Sequence, residues 1–122
     1  MSVLHLNKES FDKLTAQTEK AVLVDFWATW CGPCQSLTPE LEALSEEYPE
    51  LIVGKVNVEE PENIQLAASM GVNTIPAMFF YRNEKLEKQL VGYMPKRELI
   101  NELFPTLERP EKATCAMGSE GN

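Results

Sequence analysis

Cys31 and Cys34 stand three positions apart in FWATWCGPCQSL, residues 26–37. Two thiols at this spacing can ligate a metal, staple the chain or exchange two electrons reversibly. A tetrahedral zinc site needs four ligands, and the only other donors of the right softness are Cys115 and the sole histidine, His5. An iron–sulfur cluster meets the same shortage. A disulfide across so short a span closes too small a loop to restrain much of the unfolded chain. Reversible thiol–disulfide exchange is therefore the chemistry expected of the pair, with the thiolate as its reactive form, and no metal is expected.

What precedes and follows the pair must position it. AVLVDFW, residues 21–27, is apolar on both faces apart from Asp25, the pattern of a central strand buried on both sides. Downstream, Cys34, Leu37, Leu41, Leu44 and Tyr48 recur at steps of three and four, one face of a long helix. Pro33 suits the first turn of that helix, where its missing N–H has no partner to lose. Pro39 lies deeper and is expected to kink it. Cys31 then falls where free N–H groups and the positive end of the helix dipole stabilise a negative charge. Cys34, on the apolar face, is expected to be the buried thiol and the slower to ionise.

Short β-branched runs alternate with helical patterns along the rest of the chain. VLHL (3–6) reads as a strand and NKESFDKLTA (7–16) as a helix capped by Asn7. LIVGKVNV (51–58) reads as another buried strand, and Ile64, Ala67 and Ala68 mark a short helix ending near Gly71. AMFFY and KLEKQLV flank the polar turn RNEK, an antiparallel hairpin. Leu99, Ile100, Leu103 and Phe104 line a last helix begun near Pro95. The order implies an α/β fold, with parallel pairing, helices on both faces and an antiparallel edge from the hairpin. PTLERPEKATCAMGSEGN reads as a flexible tail, which gives one domain over 1–104 and a tail over 105–122.

Length and composition fit this reading: 122 residues, 43% hydrophobic and 25% charged, suit one soluble domain. A net charge of −8 without a basic run argues against nucleic-acid binding. Neither a leader pattern nor a membrane-length apolar window occurs, so a cytoplasmic location away from membranes is expected. There, a close cysteine pair is more often catalytic or metal-binding than a structural disulfide.

Two charged residues interrupt the apolar strands. A buried, unpaired Asp25 is costly and its pKa should rise; the bland alternative is a strand-end residue reaching solvent. Lys55 in LIVGKVNV is either its partner or a lysine snorkelling to the surface. Pro76 in NTIPAMFF, read from sequence alone, looks like a proline opening an edge strand. Trp27 reads as packing, and ordinary core is the alternative reading for Ile75 and Val91.

WCGPC (30–34) after VLVDFWA, with TIP (74–76) and VG (91–92) downstream, resembles the thioredoxin family, over about residues 3–104. The resemblance implies the thioredoxin fold, a central mixed five-stranded sheet flanked by four helices on both faces. It implies a general protein-disulfide reductase, with Cys31 as nucleophile, Cys34 as resolving thiol, and Trp30, Gly32 and Pro33 completing the active-site loop. Asp25 and Lys55 would approach each other beneath the disulfide, Asp25 accepting the Cys34 proton through a water. Pro76 would be cis, facing the pair and leaving the Ile75 backbone free to pair with an extended substrate segment. Trp30, Ile75, Pro76, Val91, Gly92 and Tyr93 would form the docking rim. The partners implied are disulfide-containing client proteins and a thioredoxin reductase as electron donor, for a monomer with no bound cofactor.

Departures from the family pattern fall on that rim and on one turn. Ala77 follows the proline where threonine is common, Tyr93 is larger than expected, and RNE replaces an asparagine–glycine turn. Cys115 is a regulatory or dimer-forming thiol on one reading and an inert or vector-derived residue on the other. Two rival functions share the fold: a thiol oxidase or isomerase, disfavoured by the uncharged Gly32–Pro33 dipeptide, and a non-catalytic binding subunit with incidental cysteines.

Overall fold

The computed structural model describes residues 3–16 and 19–103. In chain order the elements are β1 (Val3–Leu6), α1 (Lys8–Ala16), β2 (Val22–Trp27), α2 (Gly32–Glu47) and β3 (Ile52–Asn57). They continue with α3 (Pro61–Ser69), β4 (Ala77–Arg82), β5 (Lys85–Val91) and α4 (Lys96–Leu103). The expected tail from Pro105, with Cys115, and the expected last-helix residue Phe104 lie outside the described residues.

The strands form one sheet in the order β1-β3-β2-β4-β5. β1 and β2 both pair with β3 in parallel, while β4 pairs antiparallel with β2 and with β5. β2 is thus the central strand, as its two-faced apolar pattern requires. Its alternate side chains serve two cores. Val22, Val24 and Phe26 join Phe11 of α1, Leu66 of α3 and Phe79 of β4 on one face, where Phe26 meets Phe11 and Phe79 edge-on at ring-centroid distances of 6.1 and 5.4 Å. Leu23 joins Leu37 and Leu41 of α2, Phe80 of β4, and Leu99 and Leu103 of α4 on the other.

Local chemistry sets the element ends. Asn7 caps α1: its Oδ1 accepts the Ser10 N–H at 2.9 Å, and Ser10 Oγ accepts the Asn7 N–H at 2.9 Å. α3 stops at Gly71, whose φ of +74° is the left-handed conformation that ends helices. The Lys96 N–H, which opens α4, donates to Glu40 Oε1 of α2 at 2.7 Å, so a carboxylate from a neighbouring helix serves its positive end. α2 itself runs continuously through Pro39.

The short helix expected to end near Gly71 is α3, and one sequence expectation, that for Pro76, needs correction. The buried face of α3 is Asn63, Leu66 and Ala67, whereas Ile64 is 57% exposed and Ala68 is exposed as well. Alanine suits either face of a helix, so Ala67 and Ala68 together could not orient it. Pro76 does not open an edge strand: β4 lies between β2 and β5, and Pro76 precedes it. The Ile75–Pro76 peptide bond is cis.

Candidate active site

β2 ends at Trp27, and a short loop delivers Cys31 to the N-cap of α2, with φ −94° and ψ 111°. Its Sγ accepts the Cys34 N–H at 3.2 Å, one of the N–H groups that a helix start leaves unpaired. Pro33 lies in the first turn, where it forfeits no hydrogen bond. One helical turn brings Cys34 beside Cys31, and the two form a disulfide with Cα atoms 5.3 Å apart. Cys34 is fully buried and Cys31 is nearly so. The loop is tied down from β3's side: the Thr29 N–H and hydroxyl both donate to Glu59 Oε1 at 2.9 Å, and Gln35 Nε2 donates to the Thr29 carbonyl at 2.7 Å.

Asp25 is fully buried on β2. Side chains alternate along a strand, so Asp25 shares with Leu23 and Trp27 the sheet face that α2 covers. Neither carboxyl oxygen has a hydrogen-bond partner among the described residues. Burial pushes its pKa up to about 7, against a smaller lowering by the Lys55 charge. Lys55 is its register partner on β3 and is also buried, which removes the snorkelling alternative. No ion pair joins the two among the described residues. The Lys55 ammonium instead donates to Thr38 Oγ1 of α2 at 2.5 Å and lies 4.4 Å from the Trp27 ring centroid. Burial lowers the Lys55 pKa, opposed by the charges of Asp25 and Glu42.

The other expected residues converge on Cys31 through backbone contacts. The Ile75 carbonyl oxygen lies 3.8 Å from Cys31 Sγ. Pro76 follows it, and the Pro76 carbonyl accepts the Gly92 N–H at 2.8 Å. Gly92 has φ +96°, which a side chain would strain. Val91 pairs with Ala77 just before it. Around this track Trp30, Val91 and Tyr93 are 71%, 52% and 45% exposed; Val91 is therefore surface rather than core. A separate cleft of about 250 Å³, lined in part by His5, Trp27, Lys55, Asn57, Glu60 and Glu62, opens beyond the ends of β1 and β3, and the cysteines do not line it.

The thioredoxin family model matches residues 2–104. The chain belongs to the thioredoxin family. It is 40% identical over 96 residues to a thioredoxin of Chlorobaculum thiosulfatiphilum, covering 78% of this chain and 87% of that one. A chloroplastic M-type thioredoxin of Pisum sativum is 38% identical over 95 residues, covering 77% of this chain and 54% of that protein. The crystal structure of Chlamydomonas reinhardtii thioredoxin f2 superposes with a TM-score of 0.79 at 30% identity, covering 91% of this chain and all of that one. Membership and the bonded Cys31–Cys34 pair together make this a protein-disulfide oxidoreductase that works by dithiol–disulfide exchange on disulfide-containing proteins. No helix among the described residues is long and apolar enough to cross a membrane.

Sequence reasoning missed Thr29, Gln35, Glu59 and Thr38. The first three latch the loop through contacts spanning up to 30 residues. Thr38 carried one faint signal: a threonine inside a helix often bonds back to the carbonyl four residues earlier, and Thr38 Oγ1 does so to Cys34 at 3.3 Å.

Proposed function

We propose that Cys31 is the attacking thiol and Cys34 the resolving one. The position of Cys31 as N-cap of α2, with its sulfur receiving the Cys34 N–H, carries this reading. In the reduced protein the same N–H and the helix dipole favour a thiolate at Cys31. That thiolate attacks one sulfur of a client disulfide; the client S–S bond breaks, a Cys31–client disulfide forms, and the other client sulfur leaves as a thiolate and takes a proton from water. Asp25, as carboxylate, takes the Cys34 proton, through a water where one bridges them. The Cys34 thiolate attacks Cys31 Sγ, releases the second client thiolate and leaves the Cys31–Cys34 disulfide. Two electrons have passed to the client.

Trp30, Ile75, Pro76, Val91, Gly92 and Tyr93 form the client-docking rim in this reading, with the Ile75 backbone next to the reacting sulfur. Lys55 adjusts the charge on Asp25. A separate thioredoxin reductase, carrying whatever flavin or nicotinamide the couple requires, returns the electrons, and the protein works as a cytoplasmic monomer without a cofactor of its own.

Trapping tests the assignment. In Cys34→Ser, mixed disulfides should accumulate on Cys31, and their identities name the clients. Adducts that accumulate in Cys31→Ser but not in Cys34→Ser would reverse the two roles.

A further inference from the structure

We propose that Thr38 is a positioning residue: its hydroxyl holds the Lys55 ammonium against α2 and keeps that charge off the Asp25 carboxyl. The consequence for exchange rests on the reading of Asp25 as proton acceptor for Cys34.

The hydrogen-bond directions leave little choice. An ammonium only donates, so Thr38 Oγ1 accepts from Lys55. The hydroxyl proton then remains for the Cys34 carbonyl, which can only accept. The chain runs Lys55 to Thr38 to the backbone of the resolving cysteine. Meanwhile Asp25, paired in register with Lys55, has two acceptor oxygens that receive no hydrogen bond from the described residues. Two opposite buried charges on neighbouring strands would ordinarily close into a pair. Here the hydroxyl supplies a competing acceptor on the facing helix, and the ring of Trp27 flanks the ammonium.

Charged and titratable groups bear on this pair from every side. His5 on β1 is the other register partner of Lys55. Glu42 on α2 acts on the ammonium. Glu60 and Glu62 share the lateral cleft with Lys55 and His5, and Cys34 sits one turn before Thr38. Met78, opposite Asp25 on β4, is not titratable. Of the acceptors these groups offer, the Asp25 oxygens are the ones both buried and unpartnered, so removing the Thr38 hydroxyl sends the ammonium to Asp25. A carboxylate gaining a close cation holds its proton less tightly.

Thr38→Val keeps the side-chain shape and deletes the hydroxyl; Thr38→Ser keeps the hydroxyl. The readouts are the Asp25 carboxyl titration followed by NMR in the reduced protein and the pH profile of resolution of a Cys31 mixed disulfide. In Thr38→Val the Asp25 midpoint should fall by about one pH unit, with the rate profile following. In Thr38→Ser it should stay at the wild-type value, and in a Lys55→Met background Thr38→Val should no longer move it. An unmoved midpoint in folded Thr38→Val overturns the proposal. An equal fall in Thr38→Ser, or a fall that survives in Lys55→Met, overturns it too. A midpoint that moves while the resolution profile stays put upholds the role of Thr38 and removes Asp25 as the proton acceptor.

Discussion

Asp25 and Lys55 are the only buried charged side chains among the described residues, and Asp25 weakens the fold in a pH-dependent way. Its pKa is raised from 3.8 to about 7. Between those values the folded protein keeps a proton that the unfolded chain has released, so stability falls as pH rises through the window; above about 7 the full penalty is present. At 1.36 kcal/mol per pH unit the penalty is on the order of 4 kcal/mol. Asp25→Asn should therefore be more stable by that order in urea unfolding at pH 8, with the gain shrinking to nothing by pH 4. The same variant should resolve mixed disulfides more slowly, by roughly a hundredfold if the carboxylate acts as a positioned base. A variant with neither effect would count against a buried, proton-accepting Asp25. Asp25 was legible in the sequence because a charge interrupted a run apolar on both faces. Thr38 was not, because a threonine at a half-buried helical position looks like surface until the Lys55 side chain, 17 residues away, is seen to reach it.

At the scale of elements, the β4–β5 turn carries a local conflict. Asn83 and Glu84 both sit at positive φ, 51° and 69°. This is the two-residue turn whose twist matches the strands, and asparagine tolerates it, but glutamate has no local means of relieving the left-handed conformation. Glu84→Gly should stabilise the protein by about 1 kcal/mol, seen as a higher urea midpoint with unchanged slope and unchanged reductase activity. The turn could be read from RNEK, and its strain from the missing glycine. The five strands and four helices of the described residues were likewise readable, because runs of alternating type differ in period as well as composition. What resisted reading was which face α3 buries, since a short helix with adjacent alanines presents no single apolar stripe.

For the molecule as a whole, oxidation state and stability are linked through the size of the disulfide loop. Cys31 and Cys34 are three positions apart, and a loop this small gives a cross-link worth about 2 kcal/mol in the chain-entropy treatment. The oxidised protein should unfold at a higher urea concentration than the reduced one by about that free energy. A much larger difference would mean that reduction loosens the fold well beyond the loop. The covering of β2 on both faces argues against that, because the two cores lie along the sheet rather than around the cysteines.

The rim around Cys31 leads to one further consequence. On the docking reading proposed above it comes down to six residues, with Trp30, Val91 and Tyr93 as its exposed large apolar side chains, against the roughly 20–30 residues a side that durable protein partners bury. A surface so small grips weakly and lets go quickly. Once an encounter has begun, what retains the visitor is the bond between two sulfurs, and that bond lasts only until the second cysteine fires. On that reading such a protein would select its visitors by how readily their sulfurs can be reached and attacked, and tight adhesion would slow it rather than help it.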